Sequence, residues 1–131
     1  MRGLVWDKDN DRGIDKLRDY DVEFVSGSLT EPDQLLKAAE GVEAVYHLGA
    51  AFQAGGPFKT EDYFEINARG TFNLLEAAKA QNNLRHFFLA STDSVYKKSA
   101  PGGMKEPISV EANPPQPSNW YALSKVLAEE P

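Results

Sequence analysis

The sequence predicts an α/β fold built on a doubly wound parallel sheet. Three observations carry this. Short apolar runs recur at residues 3–6, 22–25, 42–48 and 84–90. Segments with helical spacing separate them, and strands alternating with helices imply a parallel sheet covered on both faces. The run 42–48 is mostly apolar, as expected for a strand buried on both sides.

Residues 3–6 form the first strand. The polar stretch from Asp7 to Tyr20 follows and predicts one helical turn around Ile14 and Leu17. Val22 and Phe24 share one face of the second strand, which Gly27 ends. Thr30 is the expected N-cap of the next helix, with Asp33 three residues on as in a capping box. Pro32 falls in the first turn, where its missing N–H costs nothing. Leu35, Leu36 and Ala39 give that helix its apolar face, and Gly41 sits where a helix ends in left-handed backbone. After the third strand a loop spans 49–59. Thr60, Glu61 and Asp62 open a long helix to about Gln81, with Ile66, Gly70, Leu74 and Ala77 or Ala78 on one stripe. The fourth strand runs from Leu84 to Ala90. Residues 93–117 hold five of the eight prolines, and a loop of that length is usually functional. Ser118 is the expected cap of a last helix running to the chain end.

Composition narrows the class. The chain has 131 residues, is 41% hydrophobic and 26% charged, and has no cysteine. That excludes a disordered tail and a disulfide-stapled miniprotein, and the length suits one domain. Twenty acidic against 14 basic residues give a net charge of −6 without a basic stripe, which argues against a nucleic-acid partner. No apolar run reaches the ~18 residues of a membrane span, and the start lacks the apolar core of a signal peptide. The expected address is cytoplasmic.

Two features could carry chemistry. In Tyr121-Ala-Leu-Ser-Lys125 the four-residue offset puts phenol and ammonium on one helix face. A lysine there favours the phenolate and suits Tyr121 to acid–base work. The spacing by itself is common, and taken alone it describes an ordinary exposed pair more readily than a site. In Ala90-Ser91-Thr92-Asp93-Ser94-Val95-Tyr96, hydroxyls follow a buried strand at its carboxyl end, where open α/β sheets bind ligands. The same hydroxyls could make a local turn.

Together with three further segments, these features resemble the extended short-chain dehydrogenase/reductases, which include the NAD-dependent sugar epimerases and dehydratases. Gly27-Ser28-Leu29-Thr30 resembles that family's Gly-Asp-Leu/Ile-Thr turn. Val45-Tyr46-His47-Leu48-Gly49-Ala50-Ala51 resembles its His-Leu-Ala-Ala turn. Asn67-Ala-Arg-Gly70-Thr71-Phe-Asn73-Leu-Leu resembles its Asn-x-x-Gly-Thr-x-Asn-Leu-Leu helix. Ser91 to Tyr96 resembles its Ser-Ser/Thr-x-x-Val-Tyr segment. Glu106-Pro-Ile and Pro117-Ser-Asn-Trp-Tyr121-Ala-Leu-Ser-Lys125 resemble the approach to its catalytic helix.

The resemblance implies the following roles. Tyr121 is the acid/base for a substrate hydroxyl. Lys125 lowers its pKa and hydrogen-bonds the nicotinamide ribose. Thr92 orients the substrate oxygen. Leu48, Gly49 and Ala50 line the cofactor, Ser28 and Leu29 meet the adenine, and Asn67 braces the surrounding loops. The cofactor is NAD, favoured over NADP by Asp7 after Trp6, although NADP stays open. The substrate is a small molecule, a sugar nucleotide or similar hydroxylated compound, and a homodimer forms through the helices at 60–81 and from 118. A 3β-hydroxysteroid- or dihydroflavonol-reductase-like enzyme shares these motifs. A non-catalytic binding or interaction domain is the rival from another class.

The chain departs from the pattern in places. Ser28 stands where an Asp would accept from the adenine amino group. Ser94 stands where dehydratases carry Glu after Thr-Asp, so Asp93 is read as a turn residue. His47 and His86 are read as structural and no metal is implied. A Gly-x-x-Gly-x-x-Gly turn with its strand and helix is not found. The expected fold is therefore an incomplete Rossmann-like doubly wound parallel sheet, covering the family's second strand through the start of its catalytic helix. Lacking the central strand, residues 3–6 and 43–48 lose a shared neighbour, and this chain alone is expected to bind NAD weakly or not at all.

Overall fold

The computed structural model describes residues 1–6, 11–52, 58–97 and 114–130. Asp7, Gly55, Gly56, Pro57, Pro101 and the Glu106-Pro-Ile segment lie outside the described residues. In chain order the elements are β1 (Arg2–Val5), α1 (Asp11–Leu17), β2 (Glu23–Ser26), α2 (Pro32–Ala39) and β3 (Ala44–His47). Then come α3 (Thr60–Asp62), a π-helical stretch (Tyr63–Arg69), α4 (Gly70–Lys79), β4 (His86–Leu89), a 3-10 turn (Asp93–Val95) and α5 (Trp120–Glu129). Among the described residues no helix is long and apolar enough to cross a membrane.

The alternation read from the sequence is present, with parallel strands joined by helices. The described strands form two two-stranded sheets, β1–β2 and β3–β4. In the first, Arg2 lies opposite Glu23 and Val5 opposite Ser26, in parallel. In the second, Arg85 N–H donates to Glu43 O and Ala90 N–H to His47 O, so the bonds advance in the same sense along both strands.

The chain divides into two compact units, Met1–Val45 with Asn73–Phe87, and Tyr46–Phe72 with Phe88–Pro131. In the first, α2 buries Leu35 and Ala39 against Ala77 of α4, with Leu4, Leu29, Val42 and Leu74 packed around them. The stripe predicted for α2 thus meets the stripe predicted for α4. The N-cap of α2 is Glu31, not Thr30, and no side chain closes that end. Thr30 is drawn off because its hydroxyl pairs with that of Ser28, at 2.9 Å. At the far end Gly41 takes φ 71°, the left-handed conformation expected there. Arg2 covers the last carbonyls of α2, donating through Nη1 to Ala38 O and Glu40 O, each at 2.9 Å.

In the second unit α5 packs on the π-helical stretch and on the 3-10 turn. The cap of α5 is Asn119 rather than Ser118, its side chain accepting from Ala122 N–H at 2.8 Å. The long helix departs from regular α-geometry within Tyr63–Arg69, where the closing bond runs from Gly70 N–H to Glu65 O. The sheet burial read from the sequence also differs. β3 buries His47, half-buries Val45, and leaves Ala44 and Tyr46 exposed. Tyr46 stacks on Phe88 of β4, centroids 4.7 Å apart, and both rings stay largely exposed.

Candidate active site

α5 carries the residues singled out for acid–base chemistry. Asn119 fixes the start of the helix, so Tyr121 falls in its first turn and Lys125 one turn later. Lys125 is only 3% exposed, and its ammonium donates to Ala90 O at the carboxyl end of β4, at 2.7 Å. Burial pushes the amine below the usual lysine range, and the Glu129 carboxylate opposes that. The ring of Tyr121 stands edge-on to Phe52, at 5.2 Å, and to Tyr63, at 6.5 Å. Among the described residues its hydroxyl has no hydrogen-bond partner. Thr92 caps the 3-10 turn, its Oγ1 accepting from Ser94 N–H at 3.3 Å. Asp93 opens that turn, and its carboxylate accepts from the Thr92 and Ser94 hydroxyls. Ser91 donates to Glu129 on α5.

A buried polar chain supports α5 from below. Asn67 is 1% exposed, and both ends of its amide are hydrogen-bonded. Oδ1 accepts from Ala51 N–H at 2.7 Å, while Nδ2 donates to Ala51 O and to Ser124 Oγ, each at 3.0 Å. Ser124 passes the contact on, donating to Tyr121 O at 2.7 Å. On its other side Asn67 O accepts from the Thr71 hydroxyl at 2.5 Å. With that proton committed, Thr71 Oγ1 accepts from His47 Nε2 at 2.8 Å, which fixes the tautomer. Burial, and secondarily the Lys125 charge, lower the His47 pKa to about 4, so it is neutral at pH 7. The Asn67 side chain, named from the sequence among the cofactor residues as well as for bracing, spends these hydrogen bonds on Ala51 and Ser124. Immediately before Ala51, Leu48 and Gly49 are exposed and Ala50 is half-buried.

The first unit carries a separate pocket of about 330 Å³, lined by Trp6, the Ser26–Ser28 turn, Thr30, Glu31 and Gln34. Ser28, one of the expected cofactor residues, is in this lining. Leu29 is not, because it turns into the core beside Leu35 and its carbonyl accepts from Asn73 Nδ2 at 3.1 Å. Gly27 allows a close approach here: a Cβ on it would lie 2.7 Å from Leu4 Cδ1 and 3.3 Å from Gln34 Oε1.

The motifs pointed to Asn67, Tyr121 and Lys125 but gave no role to Thr71, Ser124 or Gln34. Thr71 sits four residues after Asn67, one helical turn, which is the signal that could have linked them. Ser124 bonds a residue 57 positions away, and nothing local announces that.

Comparison with known proteins agrees with the fold and the motifs. Residues 4–130 match the NAD dependent epimerase/dehydratase family. L-arabinose 1-dehydrogenase (NAD(P)(+)) of Haloferax volcanii is 33% identical over 109 residues, 77% of this chain and 42% of that protein. UDP-glucuronate 4-epimerase 6 of Arabidopsis thaliana is 33% identical over 117 residues, 87% of this chain and 25% of that protein. The crystal structure of a short-chain dehydrogenase/reductase superfamily protein from Agrobacterium tumefaciens with bound NAD superposes with TM-score 0.72 at 31% identity, over 99% of this chain and 43% of that one. The chain thus spans less than half the length of these relatives. With the match running through both the Ser28 turn and the Tyr121–Lys125 helix, the chain belongs to the NAD dependent epimerase/dehydratase family.

Proposed function

We propose that this chain is the nucleotide-binding and acid–base portion of an enzyme that interconverts a hydroxyl and a carbonyl on a small, hydroxylated substrate such as a sugar nucleotide. The observation that carries the reading is the Tyr121–Lys125 pair, one turn apart on α5, with the lysine buried and the phenol without a hydrogen-bond partner among the described residues.

Taken separately, each unit offers groups suited to part of a nicotinamide dinucleotide. The pocket at Ser28 is large enough for the adenosine portion of a ligand, at about 330 Å³. Gly27 keeps it free of a side chain. Exposed Leu48 and Gly49 and half-buried Ala50 are the stretch that meets the cofactor in this reading. When bound, the cofactor supplies hydride exchange with a substrate carbon. The chain's own part is to move the proton. Tyr121 takes a proton from the substrate hydroxyl at its phenolic oxygen, or returns it to the carbonyl oxygen in reverse. Lys125, one turn away, is anchored by its ammonium to Ala90 O at the end of β4 and places a positive charge on the same helix. The Thr92 hydroxyl holds the substrate oxygen. The names of relatives include nucleotide-sugar enzymes, which supports the sugar-nucleotide reading. They also include a 2-alkyl-3-oxoalkanoate reductase, so the shared chemistry is the hydroxyl–carbonyl pair rather than one substrate.

The test is turnover of nucleotide sugars with NAD, followed by nicotinamide absorbance, in the natural chain and in Tyr121→Phe. The substitution is expected to lower turnover about 10²–10⁴-fold while cofactor affinity holds. Unchanged turnover would sink the acid–base assignment. Cofactor binding without turnover of any hydroxylated substrate would favour the non-catalytic reading.

A further inference from the structure

Ser28 stands where the resembling enzymes carry an Asp, and the structure shows it is poorly placed to replace that acceptor. Its hydroxyl is bound up in its own turn, accepting from Thr30 N–H at 3.3 Å and pairing with Thr30 Oγ1 at 2.9 Å. A different side chain in the same pocket is oriented and partly unused. Gln34, in the first turn of α2, folds back so that its Oε1 accepts from Ser28 N–H at 2.9 Å. Because the partner is a donor, the facing atom must be the carboxamide oxygen, which places Nε2 without ambiguity. That oxygen keeps a second lone pair, and among the described residues Nε2 has no partner. Gln34 lines the pocket beside Gly27, where the missing Cβ keeps its amide accessible.

A carboxamide held this way presents an acceptor and a donor side by side. Adenine presents the complementary pair, a 6-amino donor next to a ring-nitrogen acceptor, and Gln is suited to bind both at once. A 6-oxo purine puts an acceptor where the amino group stands and faces the carboxamide oxygen with like polarity. We propose that Gln34 is the base-reading residue of this pocket, accepting from the adenine amino group through Oε1 and donating to the adjacent ring nitrogen through Nε2. This rests on the reading of the pocket as the adenosine site.

Binding of NAD and of its hypoxanthine analogue is compared by ligand-observed NMR at millimolar concentration, which detects weak complexes. The two differ at C6, amino in NAD and oxo in the analogue, and at the adjacent N1, a bare acceptor in adenine that carries a proton in hypoxanthine. The natural chain is expected to favour NAD by about tenfold. Gln34→Leu is expected to bring the two within about twofold. Gln34→Glu keeps an acceptor for Ser28 N–H, so the turn stays intact, and it too is expected to lose the preference, because a carboxylate accepts from the hypoxanthine N1–H as readily as from the adenine amino group. Ser28→Ala is expected to keep the preference. A preference lost in Ser28→Ala and retained in both Gln34 variants would overturn the assignment in favour of the serine. Equal binding of both dinucleotides by the natural chain would overturn the role of Gln34 and leave the pocket standing. Binding of neither would overturn the pocket itself.

Discussion

His47 shows how far a residue's charge depends on its surroundings. In the unfolded chain it titrates near the ordinary histidine value of about 6.5, whereas the folded value is about 4. Above the higher value both states are neutral and the residue adds no pH dependence. As pH falls from 6.5 towards 4, the unfolded state binds the proton first and folding weakens, with a full effect on the order of 3 kcal/mol. His47→Gln, which keeps an N–H donor for Thr71, is expected to flatten this part of the profile. Urea midpoints of both proteins between pH 7 and pH 4 check it, and parallel curves would exclude His47 as the cause. The sequence allowed reading His47 as structural from the absence of ligand-forming neighbours. It could not show the Thr71–Asn67–Ser124 chain that explains why a histidine is tolerated there. Asn67 and Tyr121 were legible through their motifs, but what Asn67 touches depends on a helix 57 residues further on.

At the level of elements, periodicity located the strands and helices and missed their ends. The caps moved by one residue, from Thr30, whose hydroxyl pairs with Ser28, to Glu31, and from Ser118 to Asn119, whose side-chain oxygen accepts from Ala122 N–H. The π-helical stretch was invisible, since an apolar stripe at helical spacing does not reveal one extra residue in a turn. Burial of β3 was read as two-sided from composition alone, yet Tyr46 is 68% exposed. Gly41 was placed correctly because a left-handed helix end selects glycine strongly. A Cβ there would meet nothing within 4 Å, so its role is purely one of backbone conformation. Gly41→Ala is expected to cost about 1 kcal/mol, seen as a lower urea midpoint with an unchanged slope. A midpoint shift near zero would show that the substituted residue can leave the left-handed region without disturbing α2.

For the molecule as a whole, the described strands fall into two pairs. β2–β1 and β3–β4 are each bonded internally and form separate sheets. Three elements nevertheless run through or up to the boundary between the two compact units, namely β3, α4 and β4. Continuity of α4 in particular means that melting one unit frays the other, so a single cooperative transition is expected. The chain offers a direct check, since its two tryptophans, Trp6 and Trp120, fall one in each unit. Trp6→Phe and Trp120→Phe leave one reporter apiece, and their urea midpoints should coincide within about 0.3 kcal/mol of corresponding stability. Separated midpoints would mean that the units unfold independently.

Ala51 shows what the Asn67 clamp means in time as well as in space. It lies in a loop, where amides ordinarily exchange their protons with solvent quickly, yet both of its backbone polar groups are held by one buried side chain. Its proton can leave only when Asn67 lets go, and Asn67 also holds Ser124 on α5. The deuterium uptake of this single loop amide is therefore a clock for how often the helix bearing Tyr121 and Lys125 lifts from its seat.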